Sequence, residues 1–291
     1  MKASDDQAAA IELIRAERPT PLVYAVPHAG REMPGGATAQ MQANIATVRS
    51  LEAPLVDQLV AGADALGAAM LVNRTARAFL DVNRDPGEID GRLVGDGAWR
   101  ETPRTKAGLG VVPRLGGDGK PLWRGRLALE DVRSRIAALH GPYHAQLAEL
   151  MVAARDRFGF AVLVDWHSMP SVAAEAERRR GGLKPDIVIG DRHGQSAAAA
   201  YSGTVRAAFE ARGRRVVMNR PFAGGYTTQL WARPEDGFHA LQIEIDRGLY
   251  LDETTLDVGP GFEALRADVE AVGRAVVARL ESKKAAPESA A

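Results

Sequence analysis

The sequence predicts an α/β protein, a three-layer sandwich in which helices cover a mixed, mostly parallel β-sheet. Three observations support this prediction. Short runs rich in Val, Ile and Leu recur along the 291 residues, and most are continuously apolar, as in strands covered on both faces. Helical patterns lie between these runs, which is the alternation typical of an α/β fold. Polar clusters follow several of the apolar runs directly, as at the strand ends of many enzymes.

The predicted elements follow from these patterns in chain order. Strands are predicted at 21–26, 68–72, 78–82, 160–164, 186–189, 215–218 and 240–245. Helices are predicted at 54–66, 129–157, 194–212 and 261–280. Gly213 suits the left-handed residue that follows a helix end, whereas Pro142 should kink or divide the second of these helices.

A single domain is predicted over residues 1–282, followed by a flexible tail at 283–291 whose composition is Ala, Lys, Glu, Pro and Ser. The segment near 85–126 differs from the rest because it contains repeated Gly and Pro and little periodicity. A long segment of this kind predicts either a lid-like insertion or an element that the pattern does not reveal. Its arginines include those at 92, 100, 104 and 114.

Composition excludes several classes of protein. Lys+Arg and Asp+Glu both number 37, so the formal net charge is zero and neither nucleic acid nor an acidic membrane surface is an expected partner. The chain has no cysteine, which leaves His and carboxylates as metal ligands. No apolar run reaches the roughly 20 residues of a membrane span, and the first residues lack a signal-peptide pattern, so a cytoplasmic location is expected. The sequence does not indicate an oligomeric state.

Two histidines follow predicted strands. His28 comes after the first strand and precedes Ala29 and Gly30, where the backbone can turn sharply. Asp165 and His167 share one face of a strand end because side chains alternate, while Trp166 should point the other way into packing. A lone histidine more often caps a strand end, but two such residues among only six histidines favour a shared metal site.

Glu244 lies inside the apolar strand at 240–245, on the same face as Gln242. A buried carboxylate without a partner costs several kcal/mol, so Glu244 should either pair with an arginine such as Arg247 or face a metal-activated water. In the second case it would be a general base, since a metal lowers the pKa of its water to about 7.

Other polar residues form candidate substrate contacts. Asn83 can hold a carbonyl or amide group, and Arg84 can grip a carboxylate with two hydrogen bonds, although the same residues suit a polar turn. The loop at 219–228 offers Arg220, Gly225 and Thr227 to an anionic oxygen, or is only a glycine-rich hairpin.

His144, within a predicted helix, is a packed or second-layer histidine rather than a ligand, and His140, His193 and His239 are expected at the surface or behind the site. Neither a phosphate-loop motif nor a GxSxG motif occurs, so the predicted nucleophile is a water molecule.

At these residues the chain resembles the N-formylglutamate amidohydrolase family, the deformylases of histidine catabolism, whose fold is related to zinc carboxypeptidases and aspartoacylase. The matching segments appear in family order from residue 27 to residue 250. They are Pro27-His28-Ala29-Gly30, Asp81-Val82-Asn83-Arg84, Pro142-Tyr143-His144, Asp165-Trp166-His167-Ser168-Met169, Gly190-Asp191 with Gly194, 219–226 and 242–250.

The resemblance implies a phosphorylase/hydrolase-like fold and a metal-dependent hydrolase that removes an N-formyl or similar N-acyl group from an acidic amino acid. It implies zinc, or another divalent metal ion, held by His28 and His167, with Glu244 as the base and Arg84 receiving a substrate carboxylate. Carboxypeptidases place a glutamate three residues after the first histidine, but Arg31 stands there in this chain. Glu32, Glu52 and Asp57 are candidates for the third ligand, and Glu52 is favoured.

Two alternatives accompany this interpretation. A metallopeptidase, or a deacylase of another N-acyl amino acid, would use the same metal site. A non-catalytic protein that binds small carboxylates would use the arginines and Gly224-Gly225 instead, with Glu244 serving only as an ion-pair partner. Binding without metal and without turnover would distinguish it from the enzyme.

Overall fold

The structure is a computed structural model that describes residues 10–285 except 96 and 98. Within this range the chain forms seven strands. They are β1 (Ile11–Ile14), β2 (Leu22–Val26), β3 (Ala69–Asn73), β4 (Ala161–Met169), β5 (Ile187–Gly190), β6 (Val216–Met218) and β7 (Phe238–Asp246).

Eleven α-helices lie in the same described residues. They are α1 (Ala37–Gln40), α2 (Ile45–Arg49), α3 (Val56–Leu59), α4 (Gly91–Val94), α5 (Pro103–Lys106), α6 (Leu129–Arg135), α7 (Gly141–Phe158), α8 (Ser171–Arg179), α9 (Ala199–Ala211), α10 (Tyr226–Leu230) and α11 (Phe262–Ala285). Single 3-10 turns occur at Pro234–Asp236 and Arg247–Leu249. None of the described helices combines the length and the hydropathy that a membrane crossing requires.

The strands form one sheet in the order β1-β3-β2-β4-β7-β5-β6. β4 pairs in parallel with β2 on one side and with β7 on the other, and β5 pairs in parallel with β6. β5 is antiparallel to β7, which makes the sheet mixed. The predicted α/β class with a mixed, mostly parallel sheet is therefore confirmed.

The predicted strand at 78–82 is wrong. This segment is irregular, although Ala78, Leu80 and Val82 are fully buried. A hydrogen bond of 2.9 Å from Phe79 N to the Ala76 carbonyl closes a backbone turn at its start. The apolar pattern therefore arises because this irregular segment is buried. A buried segment need not pair with another strand.

The predicted helix at 54–66 is also mostly absent, since only α3 (Val56–Leu59) is α-helical. Leu55 before it has a left-handed backbone with φ 61°. Residues 60–67 continue as tighter three-residue turns, with hydrogen bonds such as Ala63 N to the Val60 carbonyl at 3.0 Å.

The long helix predicted at 129–157 is interrupted as expected near Pro142. A π-helical turn, Ile136–His140, separates α6 from α7 immediately before Gly141 and Pro142. Proline lacks an N–H group and its ring crowds the preceding turn, which a widened turn accommodates. Gly213 follows α9 with φ 77°, which confirms its predicted position after a helix end.

The chain divides into two compact units. Of the described residues, the first contains 10–13, Pro27–Pro54 and Leu71–Ala148. The second contains Ile14–Val26, Leu55–Met70 and the described residues from Glu149 to Ala285. In the second unit every residue of β4 and β7 is buried, and Trp166 meets Tyr24 edge-on with ring centroids 5.4 Å apart. The prediction that Trp166 points into packing is confirmed.

In the first unit, the guanidinium group of Arg135 lies 4.6 Å from the ring centroids of both Phe79 and Trp123. The segment 85–126 is less irregular than predicted, because it contains α4 and α5 and buries Val111 and Leu122. It also borders a cavity of about 360 Å³. Its role as a lid stays a prediction.

The last helix, α11, continues to Ala285, past residue 283 where the predicted tail starts, and the flexible tail stays a prediction. Residues 286–291 lie outside the described residues.

Candidate active site

His28 lies in the first unit, two residues after the end of β2. Its ring Nε2 is 2.7 Å from Oδ1 of Asp81, and both side chains are buried. The turn at this point requires Gly30, because a Cβ atom there would lie 2.2 Å from the Arg74 carbonyl carbon. The chain therefore holds the imidazole of His28 against a buried carboxylate 53 residues away.

Asp81 is the centre of this arrangement, which we call the His28–Asp81 cluster (His28, Arg77, Asp81, Asn83 and Arg84). Its carboxylate also accepts hydrogen bonds from Arg77 Nε at 2.9 Å and from the Asn83 backbone N–H at 2.9 Å, and lies 3.5 Å from Arg84 Nε. Burial opposes ionisation, but the charges of Arg77 and Arg84 and the contact with His28 hold the pKa of Asp81 well below its usual range. The sequence prediction did not include Asp81 among the site residues.

Arg84, predicted to receive a substrate carboxylate, makes internal contacts in the structure. Its Nε donates to the Leu109 carbonyl at 2.9 Å, and its Nη1 contacts the Asn83 carbonyl at 3.3 Å. Burial lowers the pKa of Arg84 to about 10, while Asp81 acts in the opposite direction. Asn83 is buried as well, with 3% of its surface exposed.

His140 and His144, from the π-helical turn and α7, form hydrogen bonds with the backbone of the segment that contains Asn83. His144 Nε2 lies 2.7 Å from the Val82 carbonyl, and His140 Nε2 lies 2.8 Å from the Arg84 carbonyl. Because carbonyl oxygens only accept hydrogen bonds, each ring donates from Nε2. The prediction of a packed role for His144 fits this contact. Of the other histidines, which were predicted at the surface or behind the site, His193 is exposed and His140 and His239 are buried.

The His144 contact predicts an acid-sensitive fold. Burial, together with the nearby His140, lowers the pKa of His144 from 6.5 to about 4. The unfolded chain therefore binds a proton that the folded chain does not, so this stabilisation is complete above pH 6.5 and is lost as the pH falls towards 4. The effect is about 3 kcal/mol.

His144→Gln keeps a donor for the Val82 carbonyl but does not titrate, so its free energy of unfolding should fall less between pH 7 and pH 4.5 in urea titrations. His193→Gln, at an exposed histidine, is the control and should behave like the unaltered protein. An unchanged pH slope in His144→Gln would contradict the assignment.

Glu52 lies next to the His28–Asp81 cluster. The Ala53 N–H donates to the His28 carbonyl at 2.8 Å, which brings the following chain against the histidine backbone. The Glu52 carboxylate is buried, with Arg31 Nε and Arg49 Nε each 3.4 Å from its Oε2. These contacts show a buried carboxylate in the same unit as His28, and its role as the third ligand stays a prediction. Glu32 and Asp57 are more exposed than Glu52.

The second unit carries the other predicted residues on β4 and β7. His167 and Glu244 are directly paired across these parallel strands, and Asp165 pairs with Gln242 in the same register. All four side chains share one face of the sheet because each pair is two residues from the next. We call this the His167–Glu244 cluster (Asp165, His167, Gln242 and Glu244).

Two hydrogen-bonded contacts organise this cluster. His167 Nε2 lies 2.9 Å from Asp165 Oδ2, so the predicted relation of these two side chains is present. Gln242 Nε2 donates to Glu244 Oε1 at 2.8 Å. Arg247, considered above as an ion-pair partner for Glu244, donates to Ser168 Oγ at 3.3 Å. Burial raises the pKa of Tyr250, while a hydrogen bond with Ser168 and the charge of Arg247 act in the opposite direction.

The loop at 219–228 belongs to the same unit and packs against the end of β5. Gly190 permits this approach, because a Cβ atom there would lie 2.6 Å from the Ala223 carbonyl carbon and 2.8 Å from Gly224 N. Thr227 is fully buried and Gly225 precedes α10. Arg220 is mostly exposed, and its Nε lies 3.5 Å from the buried Glu177. The loop therefore places backbone rather than long side chains beside β5.

The donor chemistry of both clusters fits a divalent metal. Histidines that bind metals commonly contact a carboxylate through their second ring nitrogen, and His28 and His167 both have such a carboxylate. Among the described residues, however, no group of three or more His, Asp or Glu side chains is arranged around one point. His and carboxylate oxygens suit zinc and several other divalent ions.

Comparisons with known proteins identify the class. A crystal structure of N-formylglutamate amidohydrolase from Ralstonia eutropha JMP134 superimposes with a TM-score of 0.87 and 26% sequence identity, over 94% of this chain and 99% of that one. N-formylglutamate deformylases of Pseudomonas aeruginosa and Pseudomonas putida are each 29% identical, over 89% and 80% of this chain and 91% and 83% of their own lengths. The protein is a hydrolase that acts on a linear amide C–N bond.

The family follows from a sequence model described as N-formylglutamate amidohydrolase, which matches residues 20–251. The chain belongs to the N-formylglutamate amidohydrolase family. The predicted resemblance and the prediction of an enzyme are both confirmed, and the alternative of a non-catalytic carboxylate-binding protein is set aside.

Proposed function

We propose that this enzyme is a metal-dependent amidohydrolase that cleaves the N-formyl group from N-formylglutamate or a closely similar N-acyl amino acid, giving formate and the free amino acid. The observation that carries the proposal is the pairing of His167 with Glu244 on adjacent buried strands, within a chain whose family match spans residues 20–251. A buried glutamate opposite a buried, carboxylate-bonded histidine suits proton transfer beside a metal.

The proposed ligands are His28, His167 and a carboxylate, for which Glu52 is the first candidate, with zinc as the metal. When bound, such an ion polarises the acyl oxygen and makes water more acidic. Asp81 and Asp165 would orient the two imidazole rings through the contacts described above.

The side chains have separate proposed tasks. Glu244 accepts a proton from the attacking water, the water oxygen bonds to the formyl carbon, and Glu244 returns the proton to the nitrogen as the C–N bond breaks. Asn83, Arg84, Arg220, Gly225 and Thr227 would hold the substrate carboxylates and the developing negative charge. Of these, Arg220 has the most exposed side chain, so it suits contact with an incoming anion.

The central test is a substrate panel measured together with metal content. N-formyl, N-acetyl and N-succinyl glutamate are compared by release of free glutamate, with N-formylleucine as the matched control for the acidic side chain. We expect about one divalent ion per chain, fastest turnover with N-formylglutamate, and loss of turnover after chelation that added zinc restores. Undiminished turnover by the metal-free protein would refute metal dependence, and equal rates with N-formylleucine would refute recognition of the acidic side chain.

A further inference from the structure

We propose that Gln242 contacts the substrate directly, holding Glu244 with its side-chain Nε2 and accepting a hydrogen bond from the scissile amide N–H with its Oε1. This inference rests on the proposed function, because it assigns one more residue to the same reaction. The sequence predicts only that Gln242 shares a strand face with Glu244.

The orientation of the Gln242 side chain follows from its contact with Glu244. Nε2 donates to Glu244 Oε1 at 2.8 Å, and both side chains are buried. An ionised carboxylate can only accept, so the amide NH₂ must face Glu244 and the amide oxygen must point elsewhere. A neutral donor fixes the carboxylate without placing a positive charge on it, which leaves Glu244 available as a base.

The Oε1 atom of Gln242 is the unusual part of this arrangement. It is buried, and no described residue gives it a hydrogen bond. Buried polar oxygens in folded proteins nearly always have a donor, so an exception inside a catalytic face indicates a ligand or a water. The Oε1 atom of Gln242 is therefore a buried acceptor, oriented by the contact of Nε2 with the proposed base, that has no donor among the described residues.

The neighbours of Gln242 in the sheet do not supply that donor. On β4 its register partner is Asp165, whose carboxylate oxygens are acceptors. On β5 its partner is Gly190, which has no side chain. The backbone of Ala223 and Gly224 occupies the space a Cβ atom of Gly190 would need. On this side Gln242 therefore has a glycine as its strand neighbour, with backbone of the 219–228 loop where a side chain would otherwise lie.

The scissile N–H has the required chemistry. Each secondary amide substrate carries one N–H on the nitrogen that Glu244 is proposed to protonate. Gln242 is two residues from Glu244 on the same face and is hydrogen-bonded to it, so its oxygen lies beside the same proton-transfer path. An acceptor at this position also selects an amide over an ester, because an ester has no N–H to donate.

A comparison of amide and ester hydrolysis rates distinguishes this substrate contact from a purely structural role of Gln242. The substrates are N-formylglutamate and the analogue in which a formyloxy group replaces the formylamino group. Gln242→Met removes both the donor and the acceptor, and we expect its kcat/KM to fall about tenfold more for the amide than for the ester. Gln242→Glu keeps an acceptor, so both rates should fall while the amide-to-ester ratio stays near the unaltered value.

The matched control is Gln146→Met. Gln146 is another glutamine whose Oε1 is buried without a hydrogen bond from any described residue, but it lies on α7. Its substitution should leave the amide-to-ester ratio unchanged. Equal losses on both substrates in Gln242→Met, or a ratio that falls in Gln242→Glu, would overturn the proposed contact. If the unaltered protein releases no formate from N-formylglutamate, the proposed function itself fails, which is a different result.

Discussion

Glu244→Gln should lower kcat for N-formylglutamate by about 100- to 10,000-fold, which is the usual contribution of a positioned general base. Glutamine has nearly the same shape but cannot take a proton from water at neutral pH. The side chain stays within reach of Gln242, which donates to Glu244 Oε1 at 2.8 Å in the unaltered chain. Metal content and the unfolding midpoint should therefore change little, and steady-state kinetics with metal analysis on the same sample measure both.

A buried carboxylate elsewhere in the second unit provides the control for Glu244→Gln. Asp268 is buried on α11 and accepts hydrogen bonds from Arg212 at 2.6 Å and from Arg214 at 2.8 Å. Asp268→Asn should reduce stability, because it weakens a buried ion pair, but should leave kcat unchanged. If Glu244→Gln retained more than about a tenth of the original kcat, well above the general-base range, Glu244 would not be the base.

Period-two reasoning found the β4 and β7 residues. Asp165, Trp166 and His167 alternate as predicted, with Trp166 in the packing next to Tyr24 and His167 contacting Asp165 on the opposite face. The same alternation placed Glu244 on the face that it shares with Gln242. These assignments were accessible because the side-chain direction along a strand depends only on the parity of the residue number.

The surroundings of His28 were not accessible in this way. Its partner Asp81 is 53 residues away, in a segment wrongly predicted as a strand because its apolar side chains are buried. His144 donates to the Val82 carbonyl in that segment, and His140 donates to the Arg84 carbonyl just after it. A backbone carbonyl has no signature in the sequence, so neither contact could be read from residue types. The hydrogen bonds of Arg84 to the Leu109 and Asn83 carbonyls were equally inaccessible from residue types, and its contact with a substrate carboxylate stays a prediction.

His167→Ala should remove both the metal and the activity, whereas His239→Ala should remove neither. The two residues are matched, because each ring is buried with 4% exposure and each lies on a strand of the second unit. His239 instead accepts a hydrogen bond from the Ala198 N–H at 3.3 Å and lies 4.8 Å, between ring centroids, from Tyr201. Both substitutions delete a buried ring and should lower the unfolding midpoint of the metal-free protein similarly.

Metal affinity then distinguishes His167→Ala from His239→Ala, and Asp165→Asn should have an intermediate effect on it. Loss of a residue that only orients a ligand typically costs 10- to 100-fold in metal affinity, so Asp165→Asn should fall within about that range. His167→Ala removes the proposed ligand itself and should exceed about 100-fold, with a parallel loss of formate release. Competition with a chelator measures the affinities. A protein with His167→Ala that still binds zinc as tightly as His239→Ala would exclude His167 from the ligand set, and the proton-transfer role of Glu244 would then need a different metal position.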